Sequence, residues 1–367
     1  MDSPRQLAWK KYKKNPTALF GLGYFFLCLI LAIFGYLLSP DSTPYANRQI
    51  LELAKKPPGT KGWILKLPQE DVDESGFSSR MFFGAKANYR PIAIKGPESI
   101  ALNGNRLIYN NYGGGEFDLA LSEFGIDAND FNREDFLHHY TEELSFFLGT
   151  DSFGRDLWSR ILLGTRISLS VGLLAVSLSL LIGIVLGSFA GYFGGWVDRI
   201  IMWLISVMWS LPTLLLALLI SFLLGKGFWQ VCIAIGISMW VEVARIVRGQ
   251  ILSVRELLYT EAARALGFKD MRVMFRHVLP NVISPIIVVA VANFGSAVLI
   301  ESGLSFLGIG VEVPIPTWGS MIAEGYTYIV FSTGKWLAFF PGIALILLVV
   351  SINLIGIGLR DALDVNI

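Results

Sequence analysis

The sequence predicts an all-α protein that crosses a membrane about six times, with a small mixed α/β insertion between the first two crossings. The first observation is composition: 53% of residues are hydrophobic and 16% are charged, which is typical of membrane proteins. The second is a series of apolar stretches, each long enough to cross about 30 Å of hydrocarbon. The third is a long polar segment after the first stretch, with short runs of branched and aromatic residues.

The first elements are a basic tail, residues 1–17, and an apolar run at 18–38. Lysines at positions 10, 11, 13 and 14 precede the run, as they would in a signal peptide. However, the run is long enough to span the bilayer, and no small-x-small cleavage site follows it. We therefore predict an uncleaved anchor, transmembrane helix 1, with a cytoplasmic N-terminus.

The next element is the insertion at 39–150, which we predict to fold outside the membrane. Trp63-Ile64-Leu65 and Leu107-Ile108-Tyr109 have the composition of strands, and Asn103-Gly104-Asn105 is a turn sequence. Residues 118–143 are acidic and more helical in character. Aromatic and branched residues are too frequent for a disordered linker. The segment therefore predicts a small extracytoplasmic α/β unit.

The remaining part, residues 151–367, contains the other predicted crossings and a cytoplasmic loop at 250–281. This loop is rich in Lys and Arg, and Arg360 falls on the same side of the membrane as the loop and the basic tail. This agreement predicts a multi-pass protein of the inner membrane with both termini in the cytoplasm. The predicted crossings are Ile167–Ala190, Ile200–Leu224, Phe228–Ile246, Val282–Leu307 and Leu337–Gly358.

The 250–281 loop is predicted to form two short helices around a bend. Leu258, Ala262 and Leu266 recur at helical spacing on one side of the first helix. Gly267 supplies a left-handed stop, and Asp270 is placed to cap the helix that follows.

The second helix of the loop has its own apolar stripe, formed by Met271, Phe275 and Leu279. Pro280 is expected to end it. Two interpretations remain open on composition. The loop is either a compact projection that a soluble partner grips or an amphipathic connector that lies on lipid headgroups.

The spacing within this loop resembles the EAA loop of permease subunits in ATP-binding-cassette (ABC) importers. Glu-Ala-Ala is followed by a glycine and, after a fixed gap, by Leu-Pro. The general pattern has an aliphatic residue where His277 stands, although Arg-His-Val-Leu-Pro-Asn is a form associated with peptide permeases. The resemblance implies that the loop docks a cytosolic ATPase through Glu261, Ala262, Ala263, Gly267, Phe275, His277, Leu279 and Pro280.

The resemblance extends from Leu148 to the C-terminus and leaves out the insertion. It is carried by motifs at 148–169, at 191–198, at 304–319 and at 359–364. These motifs resemble the C-type permease of dipeptide, oligopeptide and nickel importers, which implies the type I ABC importer permease fold. Such a subunit forms half of a pore with a related B-type permease. Its other partners are two cytosolic ATPases, which bind the ATP and Mg, and an extracytoplasmic solute-binding protein.

Two acidic residues fall inside predicted crossings, where a charge costs roughly 2.5–3.5 kcal/mol on insertion scales. Glu242 lies one helical turn from Arg245, which favours a structural ion pair. Glu301 lies among small residues that indicate close helix contact. It either faces the translocation path or hydrogen-bonds a neighbouring helix, and we favour the structural role.

Charged residues also cluster before the second predicted crossing, at Asp151, Arg155 and Asp156. At the outer mouth of a pore they would either meet the solute-binding protein or form an ion-pair cluster that shapes the turn. The sequence does not favour one interpretation over the other.

Several function classes have little support. The net charge of +1 gives no indication of nucleic-acid binding. No paired cysteine motif, His-Glu-x-x-His motif or Gly-x-x-x-x-Gly-Lys-Ser/Thr loop occurs in the sequence, so neither a catalytic zinc site nor ATP binding by this chain is predicted. We expect no catalytic residues, metal site or cofactor.

Alternatives from other classes stay open. A self-contained channel would need intramembrane relay residues and an internal repeat, which are not evident. A membrane-anchored enzyme would need a site in the insertion, where His138-His139 stands near Glu142 and Glu143, although such a pair more often decorates a solvated helix. For an importer, the predicted substrate is short peptides, with a nickel chelate as the closest alternative.

Overall fold

The computed structural model describes residues 4–69, 76–329 and 334–363. Outside the described residues lie 1–3 of the predicted tail, 70–75 of the predicted insertion, and 330–333 and 364–367 of the predicted permease domain. In the described ranges the α-helices are α1 Pro4–Lys13, α2 Pro16–Leu38, α3 Phe77–Phe83, α4 Arg133–Tyr140, α5 Leu157–Phe193, α6 Gly195–Trp209, α7 Thr213–Leu224, α8 Phe228–Arg255, α9 Leu258–Ala265, α10 Asp270–Val273, α11 Ile283–Phe306, α12 Trp318–Tyr326 and α13 Trp336–Leu363.

The long apolar helices match the predicted crossings in number and place. Within the described part of the chain, five helical stretches are long and apolar enough to cross a membrane: α2, α5, α8, the continuous stretch Asp270–Phe306 and α13. A sixth crossing results if the bent pair α6 and α7 is one span. The mainly α-helical multi-pass fold predicted from the sequence is therefore confirmed.

The prediction of one continuous helix at 200–224 was wrong, because the helix is interrupted within this range. Helices α6 and α7 meet at a 90° bend. Pro212 has no N–H to donate to a carbonyl of the preceding turn, and its ring disfavours the helical conformation at Leu211. Accordingly, the N–H groups of Ser210 and Leu211 reach back only three residues, at 3.3 and 3.4 Å, before α7 begins.

The predicted mixed α/β character of the insertion is confirmed. Residues 63–65 and 107–109, both predicted to be extended, lie in strands, and Gly104-Asn105 forms the tight loop of a hairpin. Among the described residues there are two three-stranded antiparallel sheets, with orders β2-β1-β6 and β3-β4-β5. The strands are β1 Thr60–Pro68, β2 Tyr89–Ile94, β3 Ile100–Asn103, β4 Arg106–Asn110, β5 Glu116–Ala120 and β6 Thr141–Phe146.

The insertion has a hydrophobic core on both faces of its central strand. Ile64 and Leu65 are adjacent in β1, so their side chains point to opposite faces, and both are fully buried. Ile64 belongs to a cluster with Leu53 and Phe146, whereas Leu65 belongs to a larger cluster with aromatic residues of α4 and its flanks. Burial on both sides explains why this polar segment folds.

The chain divides into two compact units. One comprises Met1–Leu29, Ile167–Glu312 and Ala344–Ile367, and it contains the 250–281 loop. The other comprises Ile30–Arg166 and Val313–Ile343, and it contains the insertion and the charged turn before α5.

Within the first unit, α5 and α8 touch through glycines. Gly183, Gly187 and Gly191 recur every four residues and therefore share one face of α5. A Cβ on Gly187 would lie 2.4 Å from the carbonyl oxygen of Ala244, which is too close for any side chain. The glycines thus allow direct backbone contact, as in the small-residue interfaces of membrane helices.

Candidate functional site

The 250–281 loop is a series of short helical segments that follows the end of α8. Helix α9 is followed by a turn at Gly267 and by α10. The chain then continues through a π-helical turn, Met274–Val278, and a 3₁₀ turn, Leu279–Val282, directly into α11. The two predicted helices are present, although the second is part of a longer helical stretch.

Gly267 ends α9 as predicted. Its φ of +80° is in the left-handed region, which favours glycine. Its N–H donates to the carbonyl of Arg264 at 2.8 Å, and the N–H of Phe268 donates to that of Ala263 at 3.3 Å, so the turn satisfies carbonyls at the helix end.

The predicted capping role of Asp270 was wrong. Lys269 occupies the N-cap of α10, and Asp270 lies inside the first turn, where a carboxylate is favoured by the helix dipole. Its Oδ1 accepts a hydrogen bond of 2.9 Å from the hydroxyl of Tyr192, which ties α10 to the end of α5.

The prediction that Pro280 ends the second helix was also wrong. Pro280 lies in the first turn of the 3₁₀ segment, and the helical stretch continues to Phe306. A proline within an α-helix clashes with the carbonyl four residues earlier. The π-helical turn just before it changes the hydrogen-bond spacing, which lets the chain pass the proline without ending.

The loop is anchored to the ends of the long helices by a buried apolar face. Ala263 is 5% exposed, and the segment around α10 contributes Val273, Met274, Val278 and Val282, each fully buried. They pack in one cluster with Val243, Val247 and Ile251 of α8 and with Tyr192 of α5. The loop is therefore packed firmly against α8 and the end of α5.

The opposite face exposes the apolar stripes that the sequence identified. Leu258 and Leu266 of the first stripe are 83% and 75% exposed, and Met271 and Phe275 of the second are 46% and 48% exposed. Exposed apolar side chains grouped on one loop are characteristic of an interaction site.

The eight residues predicted to dock an ATPase are divided between these two faces. Ala263 is buried, whereas His277 and Leu279 are half-buried; the His277 ring stacks on Phe268 with 5.8 Å between centroids. The exposed members are Glu261, Ala262, Gly267, Phe275 and Pro280. Ala263 thus belongs to the anchor and not to the outer face.

The polar contacts that hold the loop were not predicted from the sequence. Arg264 lies over the ring of Tyr192, with 5.0 Å from the guanidinium carbon to the centroid, and its Nε donates to the tyrosine hydroxyl at 3.3 Å. Nη1 of Arg255 donates to the carbonyl of Tyr192 at 3.0 Å. The position of Tyr192, far away in the sequence, gave no signal of these contacts.

Glu301 is fully buried in α11 and hydrogen-bonded to its own helix. The hydroxyl of Ser305 donates to Oε1 at 2.7 Å, and that of Ser302 donates to Oε2 at 3.4 Å. Both of these bonds lie within α11, so the hydrogen bond to a neighbouring helix that we favoured stays a prediction.

The predicted ion pair between Glu242 and Arg245 was wrong. Among the described residues, Arg245 instead places its guanidinium carbon 4.3 Å from the ring centroid of Trp209. This cation–π contact occupies the arginine. Glu242 is exposed and lines a cavity of about 270 Å³ beside the bend between α6 and α7.

The charged turn before α5 is an ion-pair cluster in the second unit. Asp151 and Arg155 are 3% and 1% exposed. Oδ2 of Asp151 lies 2.6 Å from Nε of Arg155, while Oδ1 accepts the N–H groups of Phe153 and Arg155 at 2.8 and 3.0 Å. Of the two open interpretations, burial supports the cluster that shapes the turn.

Two further members of the cluster were missed. Arg160 is 2% exposed, and its Nε lies 3.4 Å from Oδ2 of Asp151. Glu324 of α12 lies 3.2 Å from Nη2 of Arg155 and 4.0 Å from Nη2 of Arg160. Burial raises the pKa of the Glu324 carboxyl, and both arginines oppose this rise. A partner so distant in sequence has no local signal.

Asp156, the third residue predicted at the mouth, is 6% exposed and differs from its neighbours. Oδ2 accepts hydrogen bonds from the backbone N–H of Ser159, at 2.9 Å, and from its hydroxyl. Within the part of the chain that the structure describes, Oδ1 has no hydrogen-bond partner.

The histidine pair of the alternative enzyme hypothesis lies on the surface. Both rings are exposed on α4, and Nδ1 of His139 lies 2.9 Å from the carbonyl oxygen of Asp135. Among the described residues, no group of three or more His, Cys, Asp or Glu side chains is placed to hold a metal ion.

Comparison with known proteins identifies two matching families. Residues 183–367 match the family described as binding-protein-dependent transport system inner membrane component. Residues 3–58 match the N-terminal TM domain of oligopeptide transport permease C.

Two curated relatives match more than half of the chain. The glutathione transport system permease protein GsiD of Pectobacterium atrosepticum is 43% identical over 218 residues, which cover 59% of this chain and 72% of that protein. The dipeptide transport system permease protein DppC of Alkalihalophilus pseudofirmus is also 43% identical over 218 residues, covering 59% and 71%.

Among solved structures, an inward-facing crystal form of the MetNI methionine ABC transporter covers 55% of this chain and 96% of that chain, with 18% identity and a TM-score of 0.46. The assignment depends on the family matches and the curated relatives, which are transport permeases. The chain belongs to the binding-protein-dependent transport system inner membrane components, the multi-pass inner-membrane permeases of ABC importers, whose work implies ATPase and binding-protein partners.

Proposed function

We propose that this chain forms half of a translocation pore and that its 250–281 loop docks a cytosolic ATPase. The observation that carries the proposal is the division of the loop into a buried anchor and an exposed apolar face. An exposed face made of Leu258, Leu266, Met271 and Phe275 suits a partner groove, because burying such side chains stabilises a complex.

The anchor explains how docking would be coupled to transport. The loop packs on the ends of α5 and α8 through apolar contacts and through Tyr192. A movement of the docked ATPase would therefore tilt these helices, and the pore would open alternately to either side. The second half of the pore is a related B-type permease, and an extracytoplasmic solute-binding protein delivers the substrate.

The chemistry of ATP hydrolysis belongs to the partner in this proposal. The sequence has no phosphate-binding loop of the Gly-x-x-x-x-Gly-Lys-Ser/Thr type, so ATP and Mg are bound by two cytosolic ATPases. The permease itself is not an enzyme and carries no cofactor.

The proposed substrates are short peptides. Two of the relatives are named for glutathione, itself a tripeptide, and for dipeptides. A metal ion alone would need a set of fixed oxygen or nitrogen ligands. A nickel chelate remains the closest alternative, since a chelate brings its own ligands.

The docking proposal is tested by Leu258→Asp. Leu258 is the first residue of α9 and 83% exposed, so an aspartate there is favoured by the helix dipole and leaves the chain folded. We expect co-purification of the ATPase to fall about tenfold or more, as for a central interface residue.

The matched control is Phe77→Asp, which also changes an exposed apolar residue, 73% exposed, at the first position of a helix. It should leave co-purification unchanged. Equal behaviour of the two variants would remove the basis for placing the ATPase on this loop.

The substrate proposal is tested by deleting the subunit and measuring uptake in cells. We expect loss of uptake of labelled di- to oligopeptides and unchanged accumulation of nickel. The reverse pattern would assign the permease to nickel chelates instead.

The orientation is tested by cysteine labelling. Asn103 and Lys269 are exposed, and the native Cys28 and Cys232 are buried and can be replaced. With both termini in the cytoplasm, an impermeant reagent added to intact cells should label a cysteine at 103 and not one at 269. Labelling of both would contradict the topology.

A further inference from the structure

The cavity beside the bend between α6 and α7 lies within the first unit and is shared by three parts of the chain. Its volume is about 270 Å³, several times the roughly 30 Å³ that a water molecule occupies in the liquid. The bend, α8 and α11 contribute its lining. Among the described residues of this lining, Glu242 is the charged one, and Thr213, Ser238 and Ser296 carry hydroxyls.

Glu242 lies well inside the predicted crossing of α8. At a rise of about 1.5 Å per residue, it stands about 21 Å along the helix from Phe228, where α8 begins. The ion pair of Arg248 with Asp198 follows about 9 Å further on. An acidic residue at such a depth is costly against lipid, and such residues usually face protein or a water-filled path.

The side of α8 that carries Glu242 is the side that lines the cavity. Ser238 and Glu242 both line it and are four residues apart, so they share one face of the helix. Arg245 lies on this face too, and its guanidinium contacts the ring of Trp209, another lining residue. Ile233, 39% exposed, precedes Glu242 by two and a half turns and therefore lies on the opposite side. Glu242 thus faces the bend.

The carboxylate of Glu242 is accessible and uncompensated. The residue is exposed, and among the described residues its carboxylate has neither an ion pair nor a hydrogen bond. The guanidinium of Arg245, one turn away, is occupied by Trp209. Across the cavity, the exposed Ser296 donates its hydroxyl to the carbonyl of Ala292 at 3.4 Å, which leaves its oxygen as an acceptor. A negative charge with a further acceptor suits a cation that has several hydrogen-bond donors.

We propose that Glu242 binds the terminal ammonium of a short peptide at this cavity and is therefore a specificity-determining residue of the pore. The inference rests on the proposed function, because it takes peptides as the substrate class. An ammonium has three donors and a positive charge, and charge-assisted hydrogen bonds to carboxylates are among the strong ones. Because every unmodified peptide carries this group, one acid can recognise substrates of varied sequence. A metal ion alone is disfavoured, since the described residues gather no group of three potential ligands.

The experiment is ligand-detected NMR with the full-length chain in detergent near pH 7, in a buffer free of primary amines. The probes are trialanine and N-acetyl-trialanine, which has lost the ammonium. A terminal amine has an ordinary pKa of about 7.7–8.0, so trialanine is mostly protonated at this pH. We expect trialanine to bind at least about tenfold more tightly than its N-acetyl derivative. Equal binding of the two probes, or none, would overturn the proposal.

The test variant is Glu242→Gln, which removes the charge and keeps the shape of the side chain. It should weaken binding of trialanine by at least about tenfold and leave N-acetyl-trialanine unchanged. Glu242→Asp keeps the charge and should retain the preference for trialanine. The matched control is Glu134→Gln at an exposed glutamate of α4, and it should bind as the unaltered chain does. If Glu242→Gln fails to fold, the comparison of the two probes on the unaltered chain still decides.

Two other outcomes would assign Glu242 a structural role and overturn the proposal. An equal loss of both probes in Glu242→Gln would mean that the residue only shapes the cavity. Reduced co-purification of the partner permease, with the preference for trialanine intact, would mean that a basic residue of that subunit compensates the carboxylate. Uptake in cells tests the proposed function separately: loss of peptide uptake on deletion, together with equal binding of the probes, would leave that function standing without this site.

Discussion

The 250–281 loop and the charged turn before α5 invert the usual distribution of side chains in opposite ways. The loop exposes large apolar residues such as Leu258 and Leu266, whereas the turn buries Asp151, Arg155 and Arg160. In the turn, the buried charges are compensated by one another at 2.6 to 4.0 Å. The exposed apolar side chains of the loop, in contrast, do not belong to its buried cluster. Exposure of this kind therefore indicates a partner, and compensated burial indicates a structural role.

The largest effect that tests this comparison is expected for Asp151→Asn. The change removes the carboxylate shared by Arg155 and Arg160 and leaves two buried guanidinium groups with less compensation. Removing one partner of a buried ion pair costs roughly 3–5 kcal/mol. Thermal unfolding of the purified protein should show a clear fall in its midpoint.

Asp118→Asn is the matched control, because Asp118 and Arg106 form an exposed pair with side chains 46% and 69% exposed. It should change stability by about 1 kcal/mol or less. Similar midpoints for both variants would contradict a structural role for the turn.

Ala263→Leu and its neighbour Ala262→Leu should separate the two faces of the loop. Ala263 is buried against α8, and a leucine there overpacks the anchor, at a cost of about 1–3 kcal/mol. Ala262 is exposed, so a leucine there leaves stability unchanged and acts only on ATPase docking. Proteolysis of the loop and ATPase co-purification measure these effects. Equal protease sensitivity in the two variants would mean that the anchor is not as packed as described.

Gly267→Val tests the role of the bend in docking. Because φ is +80°, a side chain there strains the backbone by roughly 1–2 kcal/mol, although a Cβ would meet no atom within 4 Å. Docking should weaken while the chain stays in the membrane. Gly249→Val is the control, since Gly249 also has open space but an ordinary φ. Normal co-purification of the ATPase with the Gly267 variant would separate the bend from docking.

The smallest expected effect is a pH dependence at Asp156. Burial raises its pKa above the ordinary 3.8, so the native state holds the proton more tightly than the unfolded state does. The stability that this group contributes is full below pH 3.8 and is lost as pH rises through the native pKa. Asp156→Asn stays neutral, so its stability relative to the unaltered chain should increase as pH rises through the native pKa of Asp156. Thermal unfolding in an amine-free buffer measures this difference, and a decrease would contradict it.

The sequence predicted those features that depend on local patterns. The crossings followed from apolar length, the strands of the insertion from branched and aromatic runs, and the bend of the 250–281 loop from Gly267. The apolar stripes of the loop were also found. The sequence did not show what these stripes contact, because helical spacing defines a face but not whether that face packs on the protein itself or on a partner.

Errors arose where distant parts of the chain decide the outcome. Arg245 makes a cation–π contact with Trp209 and does not pair with its neighbour Glu242. This contact depends on how α6 packs on α8. Glu324 joins the charged turn from far along the chain. Proline had opposite effects at two positions. A π-helical turn precedes Pro280 and the helical stretch continues, whereas at Pro212 helices α6 and α7 meet at a sharp bend.

The glycine contact between α5 and α8 limits how these helices move during transport. Val243, Val247 and Ile251 each lie against one of the three glycines, where a Cβ would come within 2.5 to 3.0 Å of theirs. A shear displacement along the axis would move these branched side chains away from the glycines that accommodate them. The close contact therefore opposes sliding, and we expect the pair to move together. In the proposed coupling, joint movement of the two helices would therefore be favoured by three positions that have no side chain.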